Sequence, residues 1–341
     1  MARAIRLAER GLYTTMPNPR VGCVLVLNDE IVGEGWHEVA GQAHAEVNAL
    51  AAAGERARGA TAYVSLEPCS HTGKTGPCCE ALVSAGVARV VYGTEDPNPE
   101  VSGFGLMHLR NAGVEVSGPL MDDEARALNP GFNRRMERNL PLVRVKSAMS
   151  LDGRTAMASG ESKWITTPHA RADVQQYRAR SCAVVSGVDT VLKDNASLTV
   201  RPAELNIEGA EAAAIKQPLR VVLDSKLRLS MNCELVNAHS PILLVHADAD
   251  ESLLKERPSH VELLSLPGPD GRIDLRKLLQ ELARRECNEV LVEAGATLSG
   301  SFLKKGLLDE LVVYMAPKLM GSDARPLFNL PLQSMAAQLP L

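Results

Sequence analysis

The sequence predicts two α/β domains, and three observations support this prediction. The chain has 341 residues, roughly twice the usual size of one domain. Hydrophobic residues make up 45% of it, which is enough for two cores. Short apolar runs alternate with helical segments along almost the whole length. We place the boundary at the Arg- and Asn-rich stretch 129–141, which gives domains of residues 1–140 and 141–341.

The order of elements in the first region predicts an α/β/α sandwich. The N-terminal helix has apolar residues at helical spacing and stops at Gly11, and Asn28-Asp29 forms the turn of a hairpin. The predicted elements are a helix at 1–11, strands at 21–27 and 31–36, a helix at 44–53, a strand at 60–66, a helix at 78–85, a strand at 87–92, a helix at 105–112 and a strand at 114–116.

The second region continues the alternation of strands and helices. The predicted elements are a strand at 142–146, a turn at 150–154, a helix at 171–180, strands at 183–186, 219–224 and 242–245, a helix at 275–286, a strand at 289–293, a tight turn at 294–297, a helix at 298–305 and a strand at 310–314. The stretch 204–217 is rich in Ala and Glu without a clear period, and we expect a variable surface excursion there.

One His, two Cys and one Glu in the first region predict a zinc site. His44 opens a helix, Cys69 follows a strand, and Cys78 opens the next helix after an insert of eight residues. Zinc held by one imidazole and two thiolates keeps a fourth position for a water molecule, whose pKa falls to about 7. Glu46, two residues after His44, is placed to carry protons as general acid and base. The predicted helices at 44–53 and 78–85 both point their positive N-terminal ends at the metal, which favours thiolate over thiol at the two cysteines.

Each of these residues alone has a plainer explanation. His44 could cap a helix, Glu46 could be a solvated acid of a first turn, and the cysteines could be small core residues. The complete set, with a proline before each cysteine, favours zinc. His-x-Glu followed by Pro-Cys and a second Cys is the pattern of nucleobase deaminases, although their two cysteines are separated by two residues.

Composition restricts the possible partners. A formal net charge of −4 and an aromatic content of 3% argue against nucleic acid. No apolar run reaches the length of a membrane span, and the charged N-terminal helix resembles no signal peptide. Seven cysteines without dense even spacing indicate a reducing cytoplasm.

The turn Ala294-Gly295-Ala296-Thr297 lies between a predicted strand and a predicted helix. A helix N-terminus of this kind can bind the phosphates of a dinucleotide. The turn lacks the full G-x-G-x-x-G pattern, so an ordinary strand-to-helix connection explains it equally well.

Longer motifs then suggest a family. In the first region they are Asn18-Pro19-x-Val21-Gly22, His44-Ala45-Glu46, the run 67–73, Pro77-Cys78-Cys79 and Asp96-Pro97-Asn98-Pro99. In the second they are the run 150–154, Glu161-Ser162-x-Trp164-Ile165-Thr166 and Val292-Glu293-Ala294-Gly295. Across essentially its whole length the chain resembles the bifunctional pyrimidine deaminase/reductases of bacterial riboflavin biosynthesis.

The resemblance implies a cytidine-deaminase-like first domain and a dihydrofolate-reductase-like second domain. The first would use Zn²⁺ to deaminate a phosphorylated pyrimidine, 2,5-diamino-6-(5-phosphoribosylamino)pyrimidin-4(3H)-one, with ligands His44, Cys69 and Cys78 and with Glu46 as the catalytic residue. Residues that match positions around the base and its ribose phosphate are Asn18, His37, His71, Lys74, Asp96 and Asn98. His71 and Lys74 also suit a phosphate chemically.

The second domain would use NADPH to reduce the ribosyl chain to a ribityl chain. The implied cofactor contacts are Ala148, Trp164, Thr190, Asp194, Ser225, Gly295, Ala296, Thr297, Leu298, Ser299, Gly300 and Ser301. The implied substrate contacts are Ser162, Arg178, Leu198, Arg201 and Glu293. Arg178 and Arg201 are candidate phosphate clamps, because guanidinium binds phosphate in a bidentate fork.

The resemblance also implies a homo-oligomer, and a further strand pair after Leu341 that completes the reductase sheet. Two other functions stay open at this point. A deaminase of tRNA bases shares the zinc chemistry, but the acidic balance, the longer insert and the second domain count against it. Alternatively, the second domain is a binding or oligomerisation module without catalysis.

Overall fold

The chain folds into two units that meet in sequence at Pro141. The computed structural model describes residues 1–70 and 76–339. The first unit comprises Met1–Pro141 together with Ala283–Asn288. The second comprises Leu142–Leu282 and the described chain from Glu289 onward.

The first unit contains a five-stranded sheet of order β2-β1-β3-β4-β5. Its elements are α1 (Ala2–Glu9), β1 (Gly22–Leu27), β2 (Glu30–Trp36), α2 (Ala45–Ala53), a 3-10 turn at Gly54–Ala57, β3 (Thr61–Leu66), α3 (Cys78–Ser84), β4 (Arg89–Thr94), α4 (Phe104–Asn111), β5 (Glu115–Ser117), α5 (Asp122–Ala127) and α6 (Pro130–Arg138). Strand β1 is antiparallel to β2 and β3, whereas β3, β4 and β5 are parallel.

Close packing of α2 on the sheet fixes the start of this helix. A Cβ atom on Gly35 of β2 would lie 2.4 Å from the backbone nitrogen of Ala49, so a larger residue would push the helix away. Below the helix, Leu25, Val64 and Leu82 are fully buried in the core. Residues at the N-terminus of α2 are therefore held rigidly against the sheet.

The predicted elements of this region are all present to within two residues at each end. The stretch 129–141, expected only as a boundary segment, instead contains α6, whose Phe132 is buried. The pattern did not predict α6 or α5 because both are short and carry mostly charged residues.

The second unit is built on a seven-stranded sheet of order β11-β10-β9-β8-β12-β6-β13, and all its strand pairs are parallel. Its elements are β6 (Leu142–Ser150), β7 (Arg154–Ala156), α7 (Pro168–Ala179), β8 (Ala183–Gly187), α8 (Val188–Asp194), α9 (Pro202–Leu205), α10 (Ala210–Ile215), β9 (Leu219–Leu223), α11 (Glu234–Asn237), β10 (Ile242–His246), a 3-10 turn at Glu251–Leu254, β11 (Val261–Ser265), α12 (Leu275–Arg284), β12 (Glu289–Glu293), α13 (Ala296–Lys304), β13 (Glu310–Ala316), β14 (Arg325–Pro326) and a 3-10 turn at Met335–Ala337.

The apolar central strands explain the parallel arrangement. Val184, Val222 and Leu291 are fully buried in neighbouring strands, as expected when helices cover both faces of a sheet. Because all the strands are parallel, their carboxyl ends lie at one edge, which is where ligands bind in sheets of this type.

Three features of this region differ from or add to the sequence-based expectations. The stretch 204–217 lies mostly at the surface, as expected, but it contains part of α9 and the whole of α10, and Leu205, Ala213 and Ala214 are buried. Strand β11 and helix α8 were not predicted. Helix α13 begins at Ala296, so the turn after β12 is shorter than expected.

Within residues 1–70 and 76–339, none of the helices combines the length and the apolar character that crossing a bilayer would require.

Candidate active sites

Three metal-binding side chains of the first unit converge. His44 is the N-cap of α2, Cys69 follows β3, and Cys78 is the first residue of α3. Their ligand atoms all lie within 4.8 Å of one another. The Nδ1 atom of His44 lies 3.3 Å from the Sγ atom of Cys78 and 3.5 Å from that of Cys69. The predicted ligand set is thus assembled in space.

The backbone around α3 holds the two sulfur atoms together. The backbone N–H of Cys78 donates to the Sγ atom of Cys69 at 3.4 Å, and that of Cys79 donates to the Cys69 carbonyl at 3.2 Å. These N–H groups belong to the first turn of α3, where the positive end of the helix dipole stabilises a thiolate.

Hydrogen bonding also makes one thiol strongly acidic. The Cys78 thiol, together with His44, lowers the pKa of Cys69 to about 4 against the opposing effect of burial. The same contact with Cys69, together with burial, raises the pKa of Cys78. One imidazole nitrogen and two sulfurs, close enough to share one ion, are the donors that zinc prefers, and three protein ligands leave a fourth position for water. The donor set therefore fits zinc.

Glu46 lies next to this cluster in the first turn of α2 and is buried, with 3% of its surface exposed. Burial, and then the negative charge of Cys69, raise the pKa of Glu46 to about 7. A carboxyl group with a pKa near neutrality can both take up and release a proton, which is the property required of a general acid and base.

Asn18 and His37 lie beside the metal ligands. The rings of His37 and His44 are 5.3 Å apart between centroids and nearly perpendicular. The His37 Nδ1 atom lies 3.0 Å from the Ala43 carbonyl, and its Nε2 atom lies 3.2 Å from Nδ2 of Asn18. We assign Nδ1–H as the donor to Ala43, so that Nε2 accepts from the Asn18 amide. Burial lowers the pKa of His37, which favours this neutral form.

Asp96 and Asn98 belong to one loop after β4. The Asp96 side chain accepts a hydrogen bond of 2.8 Å from the backbone of Asn98, and the Asn98 side chain accepts one of 3.1 Å from Glu100. These contacts fix the shape of the loop, and the substrate role of Asp96 and Asn98 stays a prediction. His71 and Lys74 lie outside the described residues.

Glu67 is a residue whose role the sequence reasoning missed, although it stands in a quoted motif. Its buried carboxylate accepts backbone hydrogen bonds of 3.0 Å from Gly103 and 3.1 Å from Gly105, and a longer one from Asp96. Glu67 thereby ties the Asp96 loop and the start of α4 to the segment that carries Cys69. The available signal for this role was the position of Glu67 directly before Pro68 and Cys69.

The second unit has a large cleft at the carboxyl edge of its sheet, with a volume of about 1730 Å³. Most of the predicted cofactor and substrate residues line it. They are Ala148, Trp164, Thr190, Asp194, Ser225, Gly295, Ala296, Thr297, Leu298 and Ser301 for the cofactor, and Ser162, Arg178, Leu198, Arg201 and Glu293 for the substrate. The size of the cleft and the start of α13 in its wall fit a dinucleotide.

Two predicted cofactor residues, Ser299 and Gly300, are not in the lining of this cleft. Ser299 is buried, and its hydroxyl donates to the Ala294 carbonyl at 3.3 Å. A Cβ atom on Gly300 would lie 2.9 Å from the Asn329 carbonyl oxygen. Both residues lie on the sides of α13 that pack against the protein, and their part in binding the cofactor stays a prediction.

Glu293, at the end of β12, is the centre of an ionic cluster that is largely but not fully buried. Arg178 donates to its two carboxylate oxygens at 2.5 and 3.1 Å, and the Nζ atom of Lys146 lies 3.6 Å away. Burial opposes ionisation of Glu293, but the charges of Arg178 and Lys146 outweigh burial and lower its pKa to about 2. Glu293 is therefore a carboxylate at neutral pH. Lys146 lines the cleft and was not among the predicted residues.

The two candidate phosphate clamps differ in availability. Arg178 also donates to the Thr199 carbonyl at 3.0 Å, so three of its five N–H groups are used within the protein, and its role as a phosphate clamp stays a prediction. Arg201 is half exposed and pairs with Glu204 at 2.7 Å. A further cleft residue, Arg171, was not predicted. Its guanidinium stacks on Trp164, 4.2 Å from the ring centroid.

The fold and the site together define a class of enzyme. A His/Cys/Cys metal site with a buried glutamate beside it is the arrangement of zinc-dependent nucleobase deaminases. A parallel sheet with a cleft at its carboxyl edge is the arrangement of nucleotide-binding α/β domains.

Comparisons with known proteins support both assignments. Residues 1–94 match the family model of the cytidine and deoxycytidylate deaminase zinc-binding region, and residues 141–339 match that of the RibD C-terminal domain. The riboflavin biosynthesis protein RibD of Escherichia coli is 52% identical over 335 residues, covering 97% of this chain and 90% of the relative. That of Haemophilus influenzae is 50% identical, covering 100% and 91%.

Solved structures agree over the full length. Acinetobacter baumannii RibD superposes with a TM-score of 0.91 at 48% identity, covering 99% of this chain and 92% of that chain. A deaminase/reductase from Thermotoga maritima gives a TM-score of 0.85 at 36% identity, covering 100% and 91%. The chain belongs to the RibD family. It is a bifunctional deaminase and reductase of riboflavin biosynthesis, as the motifs predicted, and Zn²⁺ and NADPH fit its two domains.

Proposed function

We propose that the first unit hydrolytically deaminates 2,5-diamino-6-(5-phosphoribosylamino)pyrimidin-4(3H)-one and that the second unit reduces the product to 5-amino-6-(5-phosphoribitylamino)uracil. The name of the Thermotoga maritima relative describes a diaminohydroxyphosphoribosylaminopyrimidine deaminase joined to a 5-amino-6-(5-phosphoribosylamino)uracil reductase. The observation that carries the proposal is the convergence of His44, Cys69 and Cys78 beside the buried Glu46.

In the deamination, His44, Cys69 and Cys78 would hold the zinc ion. When bound, the ion supplies the positive charge that makes a water molecule acidic enough to attack at neutral pH. Glu46 takes a proton from the attacking water and delivers it to the amino group that leaves as ammonia. Asn18 and His37, hydrogen-bonded to each other beside His44, are placed to orient the pyrimidine. Asp96, Asn98, His71 and Lys74 complete the proposed substrate contacts.

In the reduction, the cleft of the second unit would hold NADPH and the ribosyl chain side by side. When bound, NADPH would supply the hydride that reduces C1 of the ring-opened sugar, and a proton from solvent completes the conversion of C1=N to CH2–NH. The Glu293 carboxylate accepts hydrogen bonds from sugar hydroxyls, and Arg178 and Lys146 keep it ionised and in place. Arg201 at the open side of the cleft contacts the substrate phosphate, with Ser162 and Leu198 nearby in the lining. Ala148, Trp164, Thr190, Asp194, Ser225 and the start of α13 contact the cofactor.

We further propose that the enzyme works in the cytoplasm as a homo-oligomer and binds a small phosphorylated pyrimidine rather than nucleic acid. Metal binding needs Cys69 and Cys78 in the reduced state, free to bind as thiolates, and a reducing compartment maintains that state. The negative formal charge opposes a nucleic-acid partner.

The experiment follows NADPH absorbance with the diaminopyrimidine substrate, using the full chain before and after removal of metal by a chelator. We expect oxidation by the untreated enzyme, no oxidation after stripping, and recovery when the deaminated intermediate is added to the stripped enzyme. Ammonia release without NADPH oxidation would refute the reductase assignment. Deamination of an RNA hairpin, with no reaction of the pyrimidine, would refute the substrate assignment.

A further inference from the structure

Four of the proposed cofactor residues lie on or shortly after four neighbouring strands. Ala148 lies on β6, Gly295 follows β12, Thr190 lies in α8 after β8, and Ser225 follows β9. In the sheet these strands are adjacent in the order β9-β8-β12-β6, so three strand spacings, about 14 Å, separate the outer two. Because Glu293 and the proposed substrate contacts lie near β12, the nicotinamide belongs at the β6 and β12 end. The adenosine half then lies at the end of β9.

The loop after β9, residues 224–229, has a fixed shape. Asp224 is fully buried, and its Oδ2 atom accepts a hydrogen bond of 2.8 Å from the backbone of Leu229. The Leu227 backbone donates to the Asp224 carbonyl at 3.1 Å. The Nε atom of Arg228 lies 3.8 Å from the Oδ1 atom of Asp224. The contacts of the buried Asp224 therefore fix the conformation of this loop.

The burial of Asp224 bears on cofactor choice. An acidic residue near the end of a strand commonly binds the ribose 2′-hydroxyl in NAD-dependent enzymes, whereas a nearby cation accommodates the 2′-phosphate of NADP. Asp224 stands at such a position in sequence, but none of its surface is exposed and its carboxylate faces its own loop. It is not available to a ribose hydroxyl.

Two cations of the same loop face the cleft instead. Lys226 and Arg228 both line it, next to the Ser225 side chain. Lys226 is exposed and makes no hydrogen bond or ion pair with any residue in the described part of the chain. Arg228 is 49% exposed and lies 2.9 Å from the carboxylate of Asp189, which is itself 71% exposed. An exposed pair of this kind is weak, so a dianionic phosphate can replace the Asp189 contact.

We infer that Lys226 and Arg228 bind the 2′-phosphate of the adenosine ribose and so make the second unit selective for NADPH over NADH. The inference rests on the proposed reductase function, which it deepens by naming the residues that choose the cofactor. Lys226 supplies a free charge, Arg228 supplies an oriented guanidinium, and Ser225 supplies a hydroxyl donor. NADH offers this loop no phosphate, so the two cations contribute nothing comparable to its binding.

The test measures dissociation constants of NADPH and NADH for the full chain by isothermal titration calorimetry. It compares wild type with Lys226→Ala, Arg228→Ala and the double variant. Since one hydrogen bond to a charged group is worth roughly a tenfold to hundredfold change in affinity, each single variant should weaken NADPH binding about tenfold and the double variant about a hundredfold. The NADH constant should change less than about twofold. Adenosine 2′,5′-bisphosphate and adenosine 5′-monophosphate provide the same comparison without the nicotinamide.

The matched control is Lys304→Ala, which removes one cation from the cleft wall on α13. We expect it to change the NADPH and NADH constants by similar factors. Equal changes for both nucleotides in the Lys226 and Arg228 variants, or an unchanged NADPH constant, would overturn the inference while leaving the reductase function intact. If wild type bound neither nucleotide, the proposed reductase function would fail and the inference with it.

Discussion

Replacing Glu46 by Gln should stop deamination and spare reduction. Glutamine has the same shape, so it fits the buried site, and it introduces no buried charge where the carboxyl group had a pKa of about 7. What it removes is the proton carrier beside His44, Cys69 and Cys78. Loss of general acid and base catalysis typically costs 10²- to 10⁴-fold in rate, about 3–5 kcal/mol in the activation barrier. Because Glu46 and Glu293 lie in different units, the reduction should keep its wild-type rate.

The assay uses two substrates on the same purified variant. Ammonia release is measured with the diaminopyrimidine, and NADPH oxidation is measured with the deaminated intermediate added directly. Zinc content, by metal analysis, and thermal unfolding establish that the variant is loaded and folded. Loss of both activities together in a folded, zinc-loaded protein would refute the independence of the two sites, and ammonia release within about tenfold of wild type would refute the role of Glu46.

Three further predictions concern the surroundings of the two sites. Arg201→Ala should raise the KM of reduction about tenfold through loss of a phosphate contact, with deamination unchanged, and a loss of deamination in steady-state assays would contradict this placement. Glu293→Gln removes the negative charge that Arg178 and Lys146 share. It should lower the free energy of unfolding by about 3 kcal/mol at neutral pH, as measured by urea denaturation. Because the pKa of Glu293 is lowered from 4.5 to about 2, its ionised form stabilises wild type above about pH 4.5, and this contribution is lost as the pH falls towards 2. The variant should lack that acid-dependent loss, and an unchanged pH profile would argue against the ion cluster. Gly105→Ala places a Cβ atom 1.9 Å from the Pro68 carbonyl oxygen, so it should displace the segment that carries Cys69, lower zinc content and deamination, and leave reduction intact. Full zinc occupancy in that variant would show that the contact does not hold the ligand.

Most elements of both units could be predicted from local pattern. The strands are short apolar runs bounded by turns, and helices such as α2 and α3 begin at recognisable positions. Prediction failed for α6 and for the 204–217 stretch, where Phe132 and Leu205 are buried although their neighbours are mostly polar or small. One or two buried apolar residues in each short helix give no period to detect.

The sequence alone predicts the zinc ligands and the general acid and base Glu46, because the chemistry needs these residue types at this spacing whatever their exact surroundings. The tertiary structure decided how the polar residues of the second unit are used. Arg178 and Glu293 are 115 positions apart and meet because β12 lies between β8 and β6 in the sheet. The same arrangement turns Ser299 and Gly300 away from the cleft and buries Asp224 beneath Lys226 and Arg228. Such contacts depend on strand order and helix rotation, which are set by the packing of the whole unit and leave no local pattern in the chain.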